Sequence, residues 1–144
     1  MNKSENEWTL WVFADEFFFA AKELEKSFNP DKTTAASYYL CAHSLELAFK
    51  CFLNKNGLSL HDLKKEIGHD LEKALKKAKQ IGFGTFVCID SGYEKTVKDL
   101  NKYYVTKELE YMTSREKVFP RLADVKDVVE KTLSALFCIL SDHL

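Results

Sequence analysis

The sequence predicts an all-α fold, an antiparallel bundle of about five helices, on three observations. Five glycines and two prolines in 144 residues are too few for a sandwich or barrel, which needs a turn roughly every eight to twelve residues. Between those few breakers, apolar residues recur at helical spacing, i, i+3, i+4 and i+7, in every segment. A hydrophobic share of 46% is enough for one core in a chain of this length, so residues 1–144 read as a single domain.

The first helix runs from about Glu7 to Phe28, where Leu10, Phe13, Ala14, Phe17, Ala21, Leu24 and Phe28 make one apolar face. Asn29 is then a plausible N-cap and Pro30 the first residue of a second helix, which reaches about Asn56 and stops at Gly57. Ser59, with Asp62 three residues on, opens a short helical turn ending at Gly68. Asp70 begins a lysine-rich helix that stops at Gly82. Gly82-Phe83-Gly84 is too short and badly placed for a phosphate loop. A further helix covers about Phe86 to Tyr104, with a break near Ser91-Gly92, where Ser91 and Glu94 have capping-box spacing. After an irregular segment from Val105 to Pro120, the last helix, about Arg121 to Asp142, carries Leu122, Val125, Val129, Leu133, Leu136 and Leu140 on one face. Its stretch from Leu136 to Leu140 is apolar all round. Short connections between such helices favour antiparallel packing.

A net charge of -1 and a pI near 6.4 exclude a protein that coats nucleic acid by bulk charge. Cys41, Cys51, Cys88 and Cys138 form no CxxC and no Cys/His pair at zinc-ligand spacing. They read as small buried hydrophobes in a reducing compartment, with no metal and no cofactor expected. The apolar stretch from Trp8 to Ala21 is interrupted by Asp15 and Glu16. A membrane span needs about 20 predominantly apolar residues, so this is neither a span nor a signal peptide. The expected location is the cytoplasm.

The aromatic share of 13% is high for a core of this size. On the first helix a second stripe, Trp8, Trp11, Val12, Phe18 and Phe19, lies off the core face. Either that helix is buried on two sides or the stripe is a homodimer interface. Burying a few large aromatics between two copies contributes several kcal/mol at roughly 25 cal/mol per Å² before association costs.

The second helix places Tyr38, Cys41, Ala42, Leu45, Phe49, Phe52 and Leu53 on one broad face and Leu40, Leu47 and Cys51 nearly opposite. A helix apolar on both sides is central. Between those sides runs one polar stripe, His43, Glu46 and Lys50, with Tyr39 beside it. Glu46 precedes Lys50 at the favourable i, i+4 spacing, and on a central helix such a pair is either an internal salt bridge that fixes packing or part of a binding site. Downstream, Asp70 caps the lysine-rich helix. The same helix N-terminus is also a candidate anion site with His69 as donor, and Lys73, Lys76, Lys77 and Lys79 follow it as a solvated face or as added positive potential. No paired carboxylates, Ser/His/Asp arrangement or metal-ligand spacing stands out.

The stretch from Tyr38 to Lys50, containing Ser44-Leu45-Glu46 and Lys50, followed by Gly68-His69-Asp70-Leu71, resembles the HEPN domains, the higher eukaryote and prokaryote nucleotide-binding family. Leu100-Asn101-Lys102-Tyr103-Tyr104 and Glu110-Tyr111-Met112 are similar to a later segment of that family, and the resemblance covers roughly residues 33 to 125. It implies an all-helical bundle, frequent homodimers, nucleotide or RNA binding, toxin–antitoxin and defence roles, and a small nucleotidyltransferase as partner. Ribonuclease members carry an Arg followed a few residues later by a His. This chain has only Arg115 and Arg121, the next His is His143, and Glu110-Tyr111 stands where the family has Arg-Tyr. The expected function is therefore a non-catalytic binding or regulatory module with His43, Glu46, Lys50, His69 and Asp70 as ligand-binding candidates. The alternatives are a metal-independent ribonuclease toxin with relocated catalytic residues, His69 being its acid/base, and a purely structural dimer.

Overall fold

The computed structural model describes residues 3–27, 35–110 and 117–142. All regular elements among them are helical: α1 (Lys3–Ser27), α2 (Ala35–Lys55), α3 (Leu60–Glu66), α4 (Leu71–Gln80), a 3-10 turn (Phe83–Thr85), α5 (Ser91–Tyr104) and α6 (Leu122–Ser141). The all-α bundle is as expected, with six α-helices among the described residues against the expected five or so. The short turn after Ser59 is a helix in its own right, with Ser59 Oγ accepting from the Asp62 N–H at its start. Gly68, at φ +58°, separates it from α4 by a backbone turn that residues with a Cβ rarely adopt.

The central helix is α2, which packs against α1, α3, α4, α5 and α6. Tyr38, Cys41, Leu45, Phe49, Phe52 and Leu53 on one side and Cys51 on the other are all buried. Small residues set the α1–α2 distance: Ala14 and Ser44 are fully buried, and the backbones come close enough for Ser44 Oγ to donate to the Ala14 carbonyl at 2.6 Å. Further along the same crossing, Cys51 Sγ donates to the Glu7 carbonyl and Lys55 pairs with the Glu7 carboxylate. On α6, Leu122, Val125, Val129, Leu133, Leu136 and Leu140 are all buried, as their spacing requires. The approach to α6 is pinned by two tyrosines. Tyr38 Oη donates to the Pro120 carbonyl at 2.8 Å, Tyr103 Oη accepts from the Val118 N–H at 2.7 Å, and Phe119 stacks on Tyr38.

Several expectations are corrected. On α1 the buried face is Ala14, Phe18 and Ala21, whereas Phe13 is 49% exposed. Phe18 is therefore core and drops out of the interface stripe: it lies on the side of α1 that faces Leu133 and Phe137 of α6, while Leu10, Ala14, Phe17, Ala21 and Leu24 of the expected face are buried or half-buried. Trp8 and Trp11 are half-buried against Phe137, and Trp11 Nε1 donates to the Leu133 carbonyl at 3.0 Å. Val12 and Phe19 remain exposed, at 42% and 61%. Of the stretch that is apolar all round at the end of α6, Leu136, Ile139 and Leu140 are buried and Phe137 and Cys138 are exposed. Asp90, not Ser91, caps α5: its carboxylate accepts from the Tyr93 N–H at 2.8 Å, while Glu94 turns away to pair with Lys79. A carboxylate offers the stronger acceptor to an N–H at the positive end of a helix. Cys41 and Cys51 are buried, but Cys88 and Cys138 are exposed. Phe28, Asn29 and Pro30 lie outside the described residues. No helix among the described residues is long and apolar enough to cross a membrane.

Candidate functional site

The polar stripe of α2 becomes one hydrogen-bonded cluster once α4 and α5 dock against it. Glu46 is 2% exposed and sits at its centre. Its Oε2 accepts from Lys50 Nζ at 2.9 Å, and its Oε1 accepts from Tyr104 Oη and from His69 Nδ1, both at 2.7 Å. All the buried oxygen of the carboxylate is thereby matched with donors, as a buried charge requires. Burial pushes the Glu46 carboxyl up, but the Lys50 charge and the bonds from His69, Tyr104 and Lys50 outweigh it and hold the group below the ordinary carboxylate range. Glu46 is ionised at neutral pH.

That charge state dictates the protons around it. An ionised carboxylate only accepts, so the single proton of Tyr104 goes to Glu46. Tyr104 Oη can then only accept from His43 Nδ1, 2.9 Å away, which makes His43 an Nδ1–H imidazole. Burial, against the pull of Glu46, moves His43 below the usual imidazole range, so the ring is neutral at pH 7. The Tyr104 phenol is raised far above its ordinary value by burial first and then by the Glu46 charge, so it stays protonated. His69 must likewise carry its proton on Nδ1, facing Glu46. Its side chain is 63% exposed, and among the described residues no hydrogen bond reaches its Nε2.

Aromatic rings flank the polar centre. Phe17 meets His43 edge-on at 4.6 Å between ring centres, Tyr39 lies parallel to His43 at 5.9 Å, and Tyr39 also meets Tyr104 at 6.0 Å. Burial and then the charges of Glu110 and Glu46 raise the Tyr39 phenol, so Glu110 belongs to the same electrostatic neighbourhood.

Asp70 has a different task. Its Oδ1 accepts from the N–H groups of Glu72 and Lys73, and the buried Asn101 donates to it through Nδ2 at 3.1 Å. Asn101 Oδ1 in turn accepts from the Leu71 N–H at 2.8 Å. The three N–H groups that open α4 are thus taken by protein oxygens, and the expected anion site there has no free donor to offer. Lys77 and Lys79 are paired with Glu66 and Glu94. Asp70→Ala is expected to cost about 1 kcal/mol, within a range of roughly 0.5–2, in urea unfolding.

Four of the five expected residues, His43, Glu46, Lys50 and His69, come together, and Asp70 stands beside them as a cap. Tyr104, Asn101 and Phe17 complete the arrangement without having been singled out for it. The signal for two of them was in the sequence: Asn101 and Tyr104 are three residues apart, on one face of one helix. No group of three or more His, Cys, Asp or Glu side chains that could hold a metal occurs among the described residues. Comparison with protein-family models, with curated proteins and with solved structures finds no match.

Proposed function

We propose that this chain is a non-catalytic, HEPN-like binding module that takes a nucleotide or the end of an RNA at the cluster formed by His43, Glu46, Lys50 and His69. One observation carries the reading. A buried carboxylate holds an exposed imidazole by its inner nitrogen, beside half-buried aromatic rings from Phe17 and Tyr39. Such rings suit the flat face of a base, and the outer nitrogen of His69, an acceptor when the proton is on Nδ1, suits a sugar hydroxyl. The resemblance of the Tyr38–Lys50 and Gly68–Leu71 stretches to HEPN domains supports the same class of ligand. On this reading the protein works in the cytoplasm, in a toxin–antitoxin, defence or stress system, with a small nucleotidyltransferase as partner. Two copies pair through Trp8, Trp11, Val12 and Phe19: the exposed Val12 and Phe19, with Phe137 and the half-buried tryptophans that pack on it, support an interface between copies on the α1 and α6 side.

The contact between Glu46 and His69 also favours a second reading, a ribonuclease, because a carboxylate on Nδ1 orients an imidazole as general base through Nε2. Calorimetric titration with AMP, ATP and a short single-stranded RNA separates the outcomes. The binding module shows saturable binding to at least one of them, weakened about tenfold by His69→Ala, or ~1.4 kcal/mol, with little change in unfolding midpoint. Absence of saturable binding to all three overturns it. Shortening of the RNA in the presence of EDTA, lost in His69→Ala, establishes the ribonuclease instead.

A further inference from the structure

The four cysteines divide into two kinds. Burial pushes the Cys41 and Cys51 thiols up to about 12, which leaves them protonated and inert. Cys88 and Cys138 are exposed, and although they come from different elements they line the same open cavity of about 530 Å³. Cys88 sits in the segment between the 3-10 turn and α5, and Cys138 is on α6. The cavity has apolar walls from Phe86, Val87, Ala135 and Ile139. Lys131, paired with Asp127 on the α6 side, is close enough to Cys88 for the two to interact electrostatically. Asp127, Glu130 and Asp142 also line the cavity, and a thiol reacts with oxidants through its thiolate.

We propose that this cavity is a dithiol modification site, in which a peroxide joins Cys88 and Cys138 in an intramolecular disulfide. Cys88 reacts as its thiolate: the sulfur attacks one oxygen of hydrogen peroxide, the O–O bond breaks, and the sulfur is oxidised to a sulfenic acid while the other oxygen leaves as hydroxide, which takes up the proton the thiol gave up and becomes water. The Cys138 thiol then attacks the Cys88 sulfur, the S–O bond breaks, and a second water leaves with the thiol proton. Two thiols lose two electrons and the peroxide gains them. A disulfide needs α-carbons about 4.4–6.8 Å apart; Cys88 lies in the connection between the 3-10 turn and α5, so any adjustment the bond requires would fall there rather than in α6. The bond would fasten the start of α5 to α6.

The test uses the whole reduced chain. Under native conditions iodoacetamide should label Cys88 and Cys138 and spare Cys41 and Cys51 until denaturant is added. Brief hydrogen peroxide treatment should then remove two hydrogens from the mass of the monomer, and unreduced peptide mapping should find Cys88 linked to Cys138. Reductant should reverse the change. Cys138→Ser should instead leave a sulfenic acid on Cys88 that dimedone captures, and because position 138 is exposed this variant keeps the fold. The proposal is overturned if both thiols oxidise separately with no link between them, if the link joins two chains, or if native alkylation misses either cysteine.

Discussion

Replacing Glu46 with alanine should lower stability by about 3–5 kcal/mol in denaturant unfolding, the range for removing one member of a buried ion pair. The side chain of Lys50 is only 12% exposed, so without Glu46 its ammonium is left in a dry place with no anion. Tyr104 Oη and His69 Nδ1 lose the same acceptor. Glu46→Gln should cost less, because the amide oxygen still accepts one bond while the charge is gone. The pH profile distinguishes the charge from the packing. A carboxyl held below its unfolded value stabilises the fold above about pH 4.5 and loses that contribution as pH falls through the lower folded value. His43, held neutral below the usual 6.5, acts in the same direction and at higher pH: its contribution is complete above 6.5 and declines as pH falls toward its folded value. Wild-type stability should therefore fall in two stages on acidification, and Glu46→Gln should remove the lower one. A variant whose profile below pH 4.5 matches wild type would show that the Glu46 charge contributes nothing.

The second large effect is expected at Phe83. Its ring is fully buried in the 3-10 turn, stacked on Phe52 at 4.6 Å and edge-on to Phe49 at 6.3 Å. Phe83→Ala should cost about 3–5 kcal/mol in the same unfolding measurement, since the cavity lies against the fixed central helix and cannot collapse easily. The glycine before it stands at φ +98°, which turns the chain so that Phe83 points inward. The short glycine-flanked segment is thus a plug for the core. A loss below about 1 kcal/mol would mean that the site relaxes around the gap and that Phe83 is not a keystone of the α2–α4 packing.

What could be read in the sequence depended on how local the determinant was. The pairing of Glu46 with Lys50 was legible because one helical turn places them together whatever the rest of the chain does. His69 and Tyr104 reach the same carboxylate from 23 and 58 residues away, and only the docking of α4 and α5 on α2 could reveal it. The stripes of α1 were ambiguous for another reason. With aromatic residues at 8, 11, 13, 17, 18 and 19, hydrophobicity alone does not say which stripe meets α2. The small residues Ala14 and Ala21 decide it by letting the backbones approach, and Phe18, one turn on from Ala14, is buried toward α6 instead. The exposed cysteines were missed because their neighbours in sequence are apolar, while exposure depends on where α6 ends and where the chain rounds its corner before α5.

Asn101 gives α4 a property that α4 does not have by itself. A ten-residue helix is marginal in isolation, and here the N–H at its first position is satisfied by a side chain of α5, thirty residues on. Opening of the two helices is coupled, because undocking α5 leaves the first N–H of α4 to water alone. Hydrogen exchange should therefore find the start of α4 and the Asn101 turn of α5 opening together. His69 sits just before that start, so its position is tied to the same coupled opening.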